Sequence, residues 1–165
     1  MVDVSEKPAT ARRAVAEALL TLEQETISLI VDGGLTKGDV LTVAELAGVL
    51  GGKRTAELIP LAHPIPLTDL KVEITPDRAA GGLRIRATAA TVAPTGVEME
   101  ALTAVSVAAL AAYDMIKSVD RSATVRDIRL LEKSGGRSGE WRRESFEPGR
   151  GGPPAVKPRR GAGRV

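Results

Sequence analysis

The sequence predicts an α+β fold, in which helices pack on one face of an antiparallel sheet. Three observations carry this prediction: a β-hairpin pattern in the middle of the chain, helical patterns on both sides of it, and a strand-like segment near the end. At 165 residues the chain has the size of one domain. We expect residues 1–147 to form that domain and residues 148–165, rich in Gly, Pro and Arg, to form a disordered basic tail.

The first element, residues 11–22, fits two kinds of secondary structure. Its Ala, Leu, Glu and Arg content favours a helix, whereas the alternating apolar residues from Ala14 to Leu22 fit a strand with one buried face. Residues 23–31 then have the apolar spacing of a helix, which Asp32-Gly33-Gly34 should end. The sequence alone does not decide whether residues 11–22 form a helix or a strand.

Two helical segments and a hairpin follow. A capping box from Thr42 to Glu45 predicts the start of a helix, and Gly51-Gly52 predicts its end. Residues 53–58 have room for one more helical turn before Pro60. Residues 67–75 and 83–92 are predicted strands, joined by a turn over residues 76–82.

The clearest helical pattern covers residues 97–119, behind a second capping box from Thr95 to Glu98. Its small residues form a stripe that would let a neighbour approach closely, at Ala101, Ala104, Ala108 and Ala112. Residues 125–131 are a last predicted strand. If the first element is also a strand, the order is β-α-β-β-α-β with an extra helix in the first crossover, which is the ferredoxin-like, split βαβ arrangement.

Composition excludes several classes of protein. The chain has no cysteine, so disulfides and thiolate chemistry are excluded. No segment reaches the roughly 18 apolar residues of a membrane helix, and the N-terminal residues lack the apolar region of a signal peptide. We therefore expect a cytoplasmic protein. The five basic residues in 148–165 leave 18 basic against 21 acidic residues in 1–147, so the domain itself is net acidic.

The residues available for catalysis are lysines, carboxylates and one imidazole. His63 is the only histidine, so the three or four nitrogen or sulfur ligands of a zinc site are missing and only a carboxylate-rich metal site remains possible. We expect neither a metal nor another cofactor. No Gly-x-Ser-x-Gly motif accompanies the histidine. This set suits acid–base chemistry on a phosphorylated substrate.

Several candidates each have a structural alternative. His63 lies in a proline-rich loop, where a histidine is as often structural as functional. Glu98 and Glu100 lie in a first helical turn, where they could serve only the helix dipole. Asp114 and Lys117 share a helix face, as a surface ion pair would.

Three further segments contain basic residues, and each alone is weak evidence of a functional site. Lys37 precedes Gly38-Asp39, and Lys53-Arg54 follows two glycines. The loop from Lys133 to Gly139 could offer backbone N–H groups and two cations to a phosphate. It lacks the spacing of a phosphate-binding P-loop.

Taken together and in this order, these segments resemble the molybdenum cofactor biosynthesis protein C family. The matching stretches are MVDVS (1–5), KGDV (37–40), KRTAELIPLAHP (53–64), TGVEMEALTAVSVAALAAYDMIK (95–117) and LLEKSGGRSG (130–139). They span nearly the whole domain, and the run from TGVEMEALT to YDM-x-K is highly specific. One departure is Ala62, where the family usually has cysteine.

The resemblance implies an activity and an assembly. Members of the family are lyases. They convert (8S)-3′,8-cyclo-7,8-dihydroguanosine 5′-triphosphate to cyclic pyranopterin monophosphate and diphosphate. An upstream radical S-adenosylmethionine enzyme makes the substrate. The resemblance also implies a ferredoxin-like fold, with residues 11–22 as a strand. The assembly it implies is a homohexamer, a trimer of dimers with sites at the dimer interfaces.

The resemblance also assigns the site residues. It gives catalytic roles to Asp114, Lys37 and Lys117, and places Asp114 and Lys117 inside a site rather than on an exposed surface. Substrate-binding positions are Leu61, Ala62, His63, Met99 and Glu100, and further pocket positions are Glu98, Arg12, Lys53, Lys133 and Asp3.

Two alternatives remain. Residues 39–60 superficially resemble a DNA-binding helix-turn-helix module, although the second helical piece is barely two turns and the domain is net acidic; we expect no specific nucleic acid partner. The other alternative is a non-catalytic, oligomeric nucleotide-binding protein of the same fold. Loss of product formation in Lys37→Ala and Asp114→Asn would exclude it.

Overall fold

The computed structural model describes residues 1–144, so the predicted tail over 148–165 lies outside the described residues. The strands within this range are β1 (Thr10–Thr21), β2 (Leu67–Asp77), β3 (Gly82–Ala93), β4 (Thr124–Ser134) and β5 (Trp141–Arg142). The helices are α1 (Gln24–Val31), α2 (Val40–Lys53), α3 (Thr55–Leu58) and α4 (Glu98–Ile116).

The strands form one antiparallel sheet in the order β2-β3-β1-β4-β5. The first four strands have the ferredoxin-like order, and α2 and α4 lie in the two crossovers. The predicted α+β fold is therefore confirmed. The short edge strand β5, which pairs with Glu132 and Lys133 of β4, was not predicted from the sequence.

Strand β1 lies in the centre of the sheet, in spite of its helix-forming composition. It pairs with β3 on one side and β4 on the other. Its alternating residues Ala14, Ala16, Ala18 and Leu20 are fully buried in the core cluster that also contains the inner residues of α4. The opposite face is buried as well from Val15 to Leu19, so the predicted strand is confirmed with two buried faces rather than one, and burial outweighs local propensity.

Helices α2 and α4 pack closely because both present small residues to each other. The predicted alanine stripe of α4 is fully buried. Facing it, a Cβ at Gly48 would lie 2.9 Å from the Ala104 carbonyl oxygen, and one at Gly51 would lie 2.6 Å from a methyl carbon of Val107. Gly51 and Gly52 lie in the last turn of α2, which ends one residue later at Lys53, so the predicted helix end is confirmed to within one residue. The same glycines also allow the close contact with α4.

Both predicted capping boxes were wrong. The N-cap of α2 is Asp39, whose carboxylate accepts a hydrogen bond from the Thr42 backbone N–H at 3.1 Å. Glu45 instead accepts one from the Ile74 backbone N–H at 3.0 Å, which ties α2 to β2. Helix α4 begins after Val97 without a side-chain cap.

Helix α4 is the core helix of the domain. Among the described helices it alone has the length and apolar composition to cross a membrane. More than half of it is buried inside the fold, which is typical of the central helix of a globular domain.

On the other face of the sheet, Glu17 joins three strands. Its carboxylate, 5% exposed, pairs with Arg84 at 3.0 Å and Arg86 at 3.3 Å from β3, and with Arg129 at 3.0 Å from β4. Burial by itself raises the pKa of Glu17, but the hydrogen bonds from the three arginines outweigh it and lower the pKa.

We predict that Gly51→Ala destabilises the fold by about 1–2 kcal/mol, because overpacking against Val107 exceeds the roughly 1 kcal/mol that Ala gains over Gly in a helix. Denaturant unfolding would measure this change. Val107→Ala removes two of the three close atoms, so the double variant should lose less stability than the sum of the single variants. Strict additivity would contradict the contact.

We predict that Glu17→Gln lowers stability at pH 7 by about 2 kcal/mol, since it leaves three arginines without their carboxylate. The lowered folded-state pKa makes the stabilisation present above the unfolded-state pKa and lost as pH falls through the folded-state pKa. Acid unfolding of the variant should therefore depend less on pH below about pH 4. Glu73→Gln, at an exposed pair with Lys71, is the control. An unchanged acid profile in Glu17→Gln would contradict this account.

Candidate active site

A cavity of about 730 Å³ lies at the N-terminal end of α4. Its walls come from the loop after α3 and from the first turn of α4. The predicted residues that line it are Leu61, Ala62, His63, Glu98, Met99 and Glu100. His63 is held by a contact of 2.8 Å between Nε2 and the Val2 carbonyl oxygen. The cavity is therefore partly apolar, with two carboxylates and one imidazole.

Two neighbouring cavities extend this one into a groove. A cavity of about 820 Å³ shares Glu98 with the first and is lined by Arg12 and Lys133. A smaller one of about 360 Å³ shares Glu100 and is lined by Lys53. We call this continuous surface the α4 groove, with the first cavity as its centre and the Arg12–Lys133 cavity as its basic end.

The basic end is organised around Glu98. The ammonium of Lys133 lies 3.5 Å from the Glu98 carboxylate and donates a hydrogen bond to the Ser138 hydroxyl. Asp3 lies beside the groove without lining it. Its carboxylate accepts hydrogen bonds from the side chain and backbone of Ser5, which lower the pKa of Asp3.

Glu100 is the buried carboxylate of the groove. Its side chain is almost fully buried, and one of its oxygens has no hydrogen-bond partner among the described residues. Burial raises its pKa, and the nearby charge of Glu98 adds to this effect. A buried polar atom without a partner is costly, so this carboxyl is suited to receive a donor from a ligand.

Asp114, Lys37 and Lys117 form a second cluster at the opposite end of α4. The Asp114 carboxylate lies 2.6 Å from the Lys117 ammonium and 3.2 Å from that of Lys37. Lys37 also donates to the Asp114 carbonyl oxygen at 2.6 Å. Lys117 and Lys37 lower the pKa of Asp114, and Asp114 in turn raises the pKa of Lys117. The pair is therefore carboxylate and ammonium near neutral pH.

This second cluster is exposed in the single chain. The side chains of Asp114, Lys117 and Lys37 are 60%, 52% and 42% exposed. One chain alone therefore does not enclose Asp114 and Lys117; because the expected sites lie between two copies, their place inside a site stays a prediction. At the C-terminal end of α4, no described segment of this chain covers them.

Helix α4 separates the two clusters. Glu98 and Asp114 are at its opposite ends, sixteen residues apart, which corresponds to about 24 Å along the helix axis. A lysine or aspartate side chain cannot span that distance. The structure therefore brings ten of the predicted site residues to or beside the α4 groove and places the three predicted catalytic residues elsewhere.

Sequence reasoning missed some residues of the basic end. Lys7 lines both larger cavities, yet it lies in an irregular segment with no motif or period to single it out. Arg137 was counted with Lys133 as one of the two cations that its loop could offer to a phosphate, but it was not assigned to the site. Within residues 1–144, no group of three or more His, Asp or Glu side chains is placed to hold a metal ion.

Comparison with known proteins gives one consistent family. The sequence profile of the MoaC family matches residues 1–136. A cyclic pyranopterin monophosphate synthase from Thermomicrobium roseum is 56% identical over 147 residues, covering 89% of each chain. Synthases of the same name from Chloroflexus aurantiacus, 55% identical over 87% of this chain and 88% of theirs, and from a Methylobacterium species, 57% identical over 86% and 88%, are similar to the same degree.

We predict that Glu100→Gln stabilises the free protein at pH 7 by about 1–2 kcal/mol, because it removes a buried charge that lacks a partner. A carboxyl whose folded-state pKa is raised destabilises the fold above its unfolded-state pKa, so the gain should vanish towards pH 4. Denaturant unfolding at pH 4 and pH 7 would measure both values. The exposed Glu57→Gln is the control. A loss of stability at pH 7 would mean that a cation faces Glu100 in the folded protein.

Proposed function

The chain belongs to the MoaC family, and we propose that it is a lyase, a cyclic pyranopterin monophosphate synthase of molybdenum cofactor biosynthesis. The observation that carries this proposal is the identity of 55–57% to synthases of that name over almost the whole domain. We further propose that residues 1–147 are the catalytic domain, that it works in the cytoplasm, and that it uses no resident metal or cofactor.

The proposed substrate is (8S)-3′,8-cyclo-7,8-dihydroguanosine 5′-triphosphate, supplied by a radical S-adenosylmethionine enzyme. The chemistry of the α4 groove supports this choice. Its centre offers apolar walls and the carboxyls of Glu98 and Glu100 to a ring with N–H donors. Its ends offer Arg12, Lys133 and Lys53 to phosphates.

Asp114 and the two lysines beside it are proposed to carry the acid–base steps. Ring opening and reclosure need proton transfers to and from ring atoms. A side chain that donates a proton and another that accepts one can perform them. The raised pKa of Lys117 keeps it protonated, so it begins as a proton donor. Asp114, kept ionised by its lowered pKa, holds both ammonium groups in position.

Closure of the cyclic phosphate then needs a nucleophile and a leaving group. A hydroxyl oxygen of the rearranged substrate attacks the α-phosphorus while the bond from that phosphorus to the bridging oxygen breaks. Diphosphate leaves with the bonding electron pair, and the hydroxyl proton passes to a base. Cations beside the phosphates stabilise the developing negative charge.

A second copy of the chain is proposed to complete each site. The distance between the groove and the Asp114 cluster supports this, because one chain cannot bring both to the same substrate. A two-fold axis would let each copy give its Asp114 cluster to the groove of the other. A homohexamer, as a trimer of dimers, satisfies this requirement with sites at the dimer interfaces.

The DNA-binding alternative receives little support from the fold. Helix α3, the piece that would enter the major groove, has only four residues. Helix α2 buries its glycine face against α4. It is not followed by a second helix long enough to serve as a recognition helix.

The direct test supplies the cyclised GTP to the purified chain and measures product by mass spectrometry. We predict formation of cyclic pyranopterin monophosphate and diphosphate. Lys37→Ala and Asp114→Asn should each lower the rate by at least about 100-fold, the usual contribution of acid–base groups. Asp127→Asn, at an exposed pair with Arg126, is the control. Unchanged turnover in both variants would exclude the assigned roles, and no turnover in the parent chain would exclude the function.

Subunit complementation tests the shared site. His63→Ala and Asp114→Asn should each be inactive when refolded alone. Refolded together in equal amounts, they should recover up to about one quarter of the parent activity, because random two-fold pairing leaves that share of sites intact. Absence of any recovery, with mixed oligomers demonstrated, would contradict a site built from two chains.

A further inference from the structure

We propose that Gly38 is a positioning residue for Lys37, because its backbone conformation directs the Lys37 ammonium to the C-terminal end of α4. This inference rests on the proposed function, in which Lys37 takes part in the acid–base steps. Gly38 lies in the segment between α1 and α2, directly after Lys37. It has no side chain, so its contribution comes from the backbone alone.

The segment that contains Lys37 is fixed to the core on both sides. Leu35 packs against the core cluster, and Val40, the first residue of α2, is 2% exposed. The residues between them, 36–39, are exposed. Packing therefore contributes little to the direction of the Lys37 side chain, which depends on the backbone of this short segment.

The backbone turns at Gly38. Its N–H donates to the Leu35 carbonyl oxygen at 3.1 Å, which closes a turn, and its φ angle is +92°. Residues with a side chain rarely adopt this conformation. Directly after the turn, Asp39 caps α2 by accepting a hydrogen bond from the Thr42 backbone N–H. Gly38 thus lets Lys37 point towards α4 while the next residue already begins α2.

Lys37 contacts two acceptors at the end of α4. Its ammonium donates to the Asp114 carbonyl oxygen at 2.6 Å and lies 3.2 Å from the carboxylate oxygen Oδ2 of the same residue. Within residues 1–144 no backbone N–H donates to this carbonyl, whereas the carbonyl oxygens of Tyr113 and Ile116 accept backbone N–H groups. A cation is favoured at this end of a helix. Lys37 therefore satisfies an acceptor that the last turn of α4 leaves free.

The two lysines of this cluster are placed by different parts of the chain. Lys117 lies three residues after Asp114 and contacts its Oδ1 at 2.6 Å, so α4 itself brings the pair together. Lys37 contacts Oδ2 from 77 residues away in the sequence. The position of Lys37 relative to Lys117 therefore depends on the turn at Gly38, and a change of that turn should move one lysine without the other.

Gly33 provides a matched control in the same segment. Its φ angle is +68°, and no atom lies within 4 Å of a Cβ added there or at Gly38. Its N–H donates to the Ile30 carbonyl oxygen at 3.3 Å, so it closes the end of α1. Gly33→Ala and Gly38→Ala therefore introduce similar backbone strain without a clash. Their melting temperatures should fall by similar amounts.

Trace acylation of the full chain with acetic anhydride tests the placement of Lys37 without any substrate. Mass spectrometry would give the reactivity of Lys37 relative to Lys71, an exposed lysine of β2. We expect Gly38→Ala to raise this ratio by about two- to fivefold, because Asp114 no longer holds the amine. Gly33→Ala should leave the ratio as in the parent chain. Equal ratios in the two variants would overturn the positioning role.

Turnover of the cyclised GTP tests the consequence for catalysis. Gly38→Ala should lower kcat about tenfold, a part of the loss expected for Lys37→Ala, and keep KM within about twofold. Gly33→Ala should keep kcat within about twofold. In a Lys37→Ala background, Gly38→Ala should have no further effect, since it acts through that lysine. A further tenfold loss in that background would show a role independent of Lys37 and would contradict the proposal.

Gly38→Asn tests whether the effect comes from the backbone. Asparagine adopts a positive φ at a lower cost than alanine, so this variant should recover part of the parent acylation ratio and part of the parent kcat. An asparagine variant that resembles Gly38→Ala in both measurements would count against a backbone origin.

The two experiments also separate this inference from the proposed function. A parent chain that does not turn over the cyclised GTP would refute the proposed function, whereas the acylation ratios would still decide whether Gly38 places Lys37. Normal turnover, combined with equal acylation ratios in Gly33→Ala and Gly38→Ala, would refute the positioning role and leave the proposed function standing.

Discussion

The close contact between α2 and α4 is the constraint on which the rest of the structure depends. Glycines at 48, 51 and 52 face the small-residue side of α4, so the two backbones approach until little space remains between them. The short alanine side chains of β1 form the sheet surface on which α4 packs. Side chains this short hold α4 in one position, and a straight 19-residue helix then fixes how far apart the residues at its two ends lie.

The two ends of α4 differ in whether their charged groups already have partners within the chain. Near its C-terminal end Asp114 pairs with both Lys37 and Lys117, so every charged group of this cluster has a partner within the chain. At the N-terminal end the groove contains a buried carboxyl without a partner, Glu100, and an arginine with unused donors, Arg12. Both features are costly in the free protein, and the proposed substrate, with its N–H donors and phosphates, would relieve both.

Much of the fold could be predicted from the sequence, because the hairpin and α4 follow clear periodic patterns. Local signals were incomplete where tertiary contacts decided the outcome. Gly51-Gly52 predicted the end of α2 to within one residue but also serve helix packing. Glu45 indicated a cap but accepts a hydrogen bond from the Ile74 backbone N–H. The site residues came from a family resemblance, whereas their division into two clusters follows from the length of α4. Lys7 had no signal in the sequence, since only the fold brings it to the groove.

The central claim is that the groove of one chain meets the Asp114 cluster of another, and site-directed cross-linking tests it most directly. The chain has no cysteine, so Ala62→Cys and Ser118→Cys introduce the only thiols, one beside each cluster. With a short bismaleimide, the double variant should give covalent dimers on a denaturing gel while each single variant stays monomeric. A double variant that remains monomeric, although oligomeric in solution, would contradict the claim.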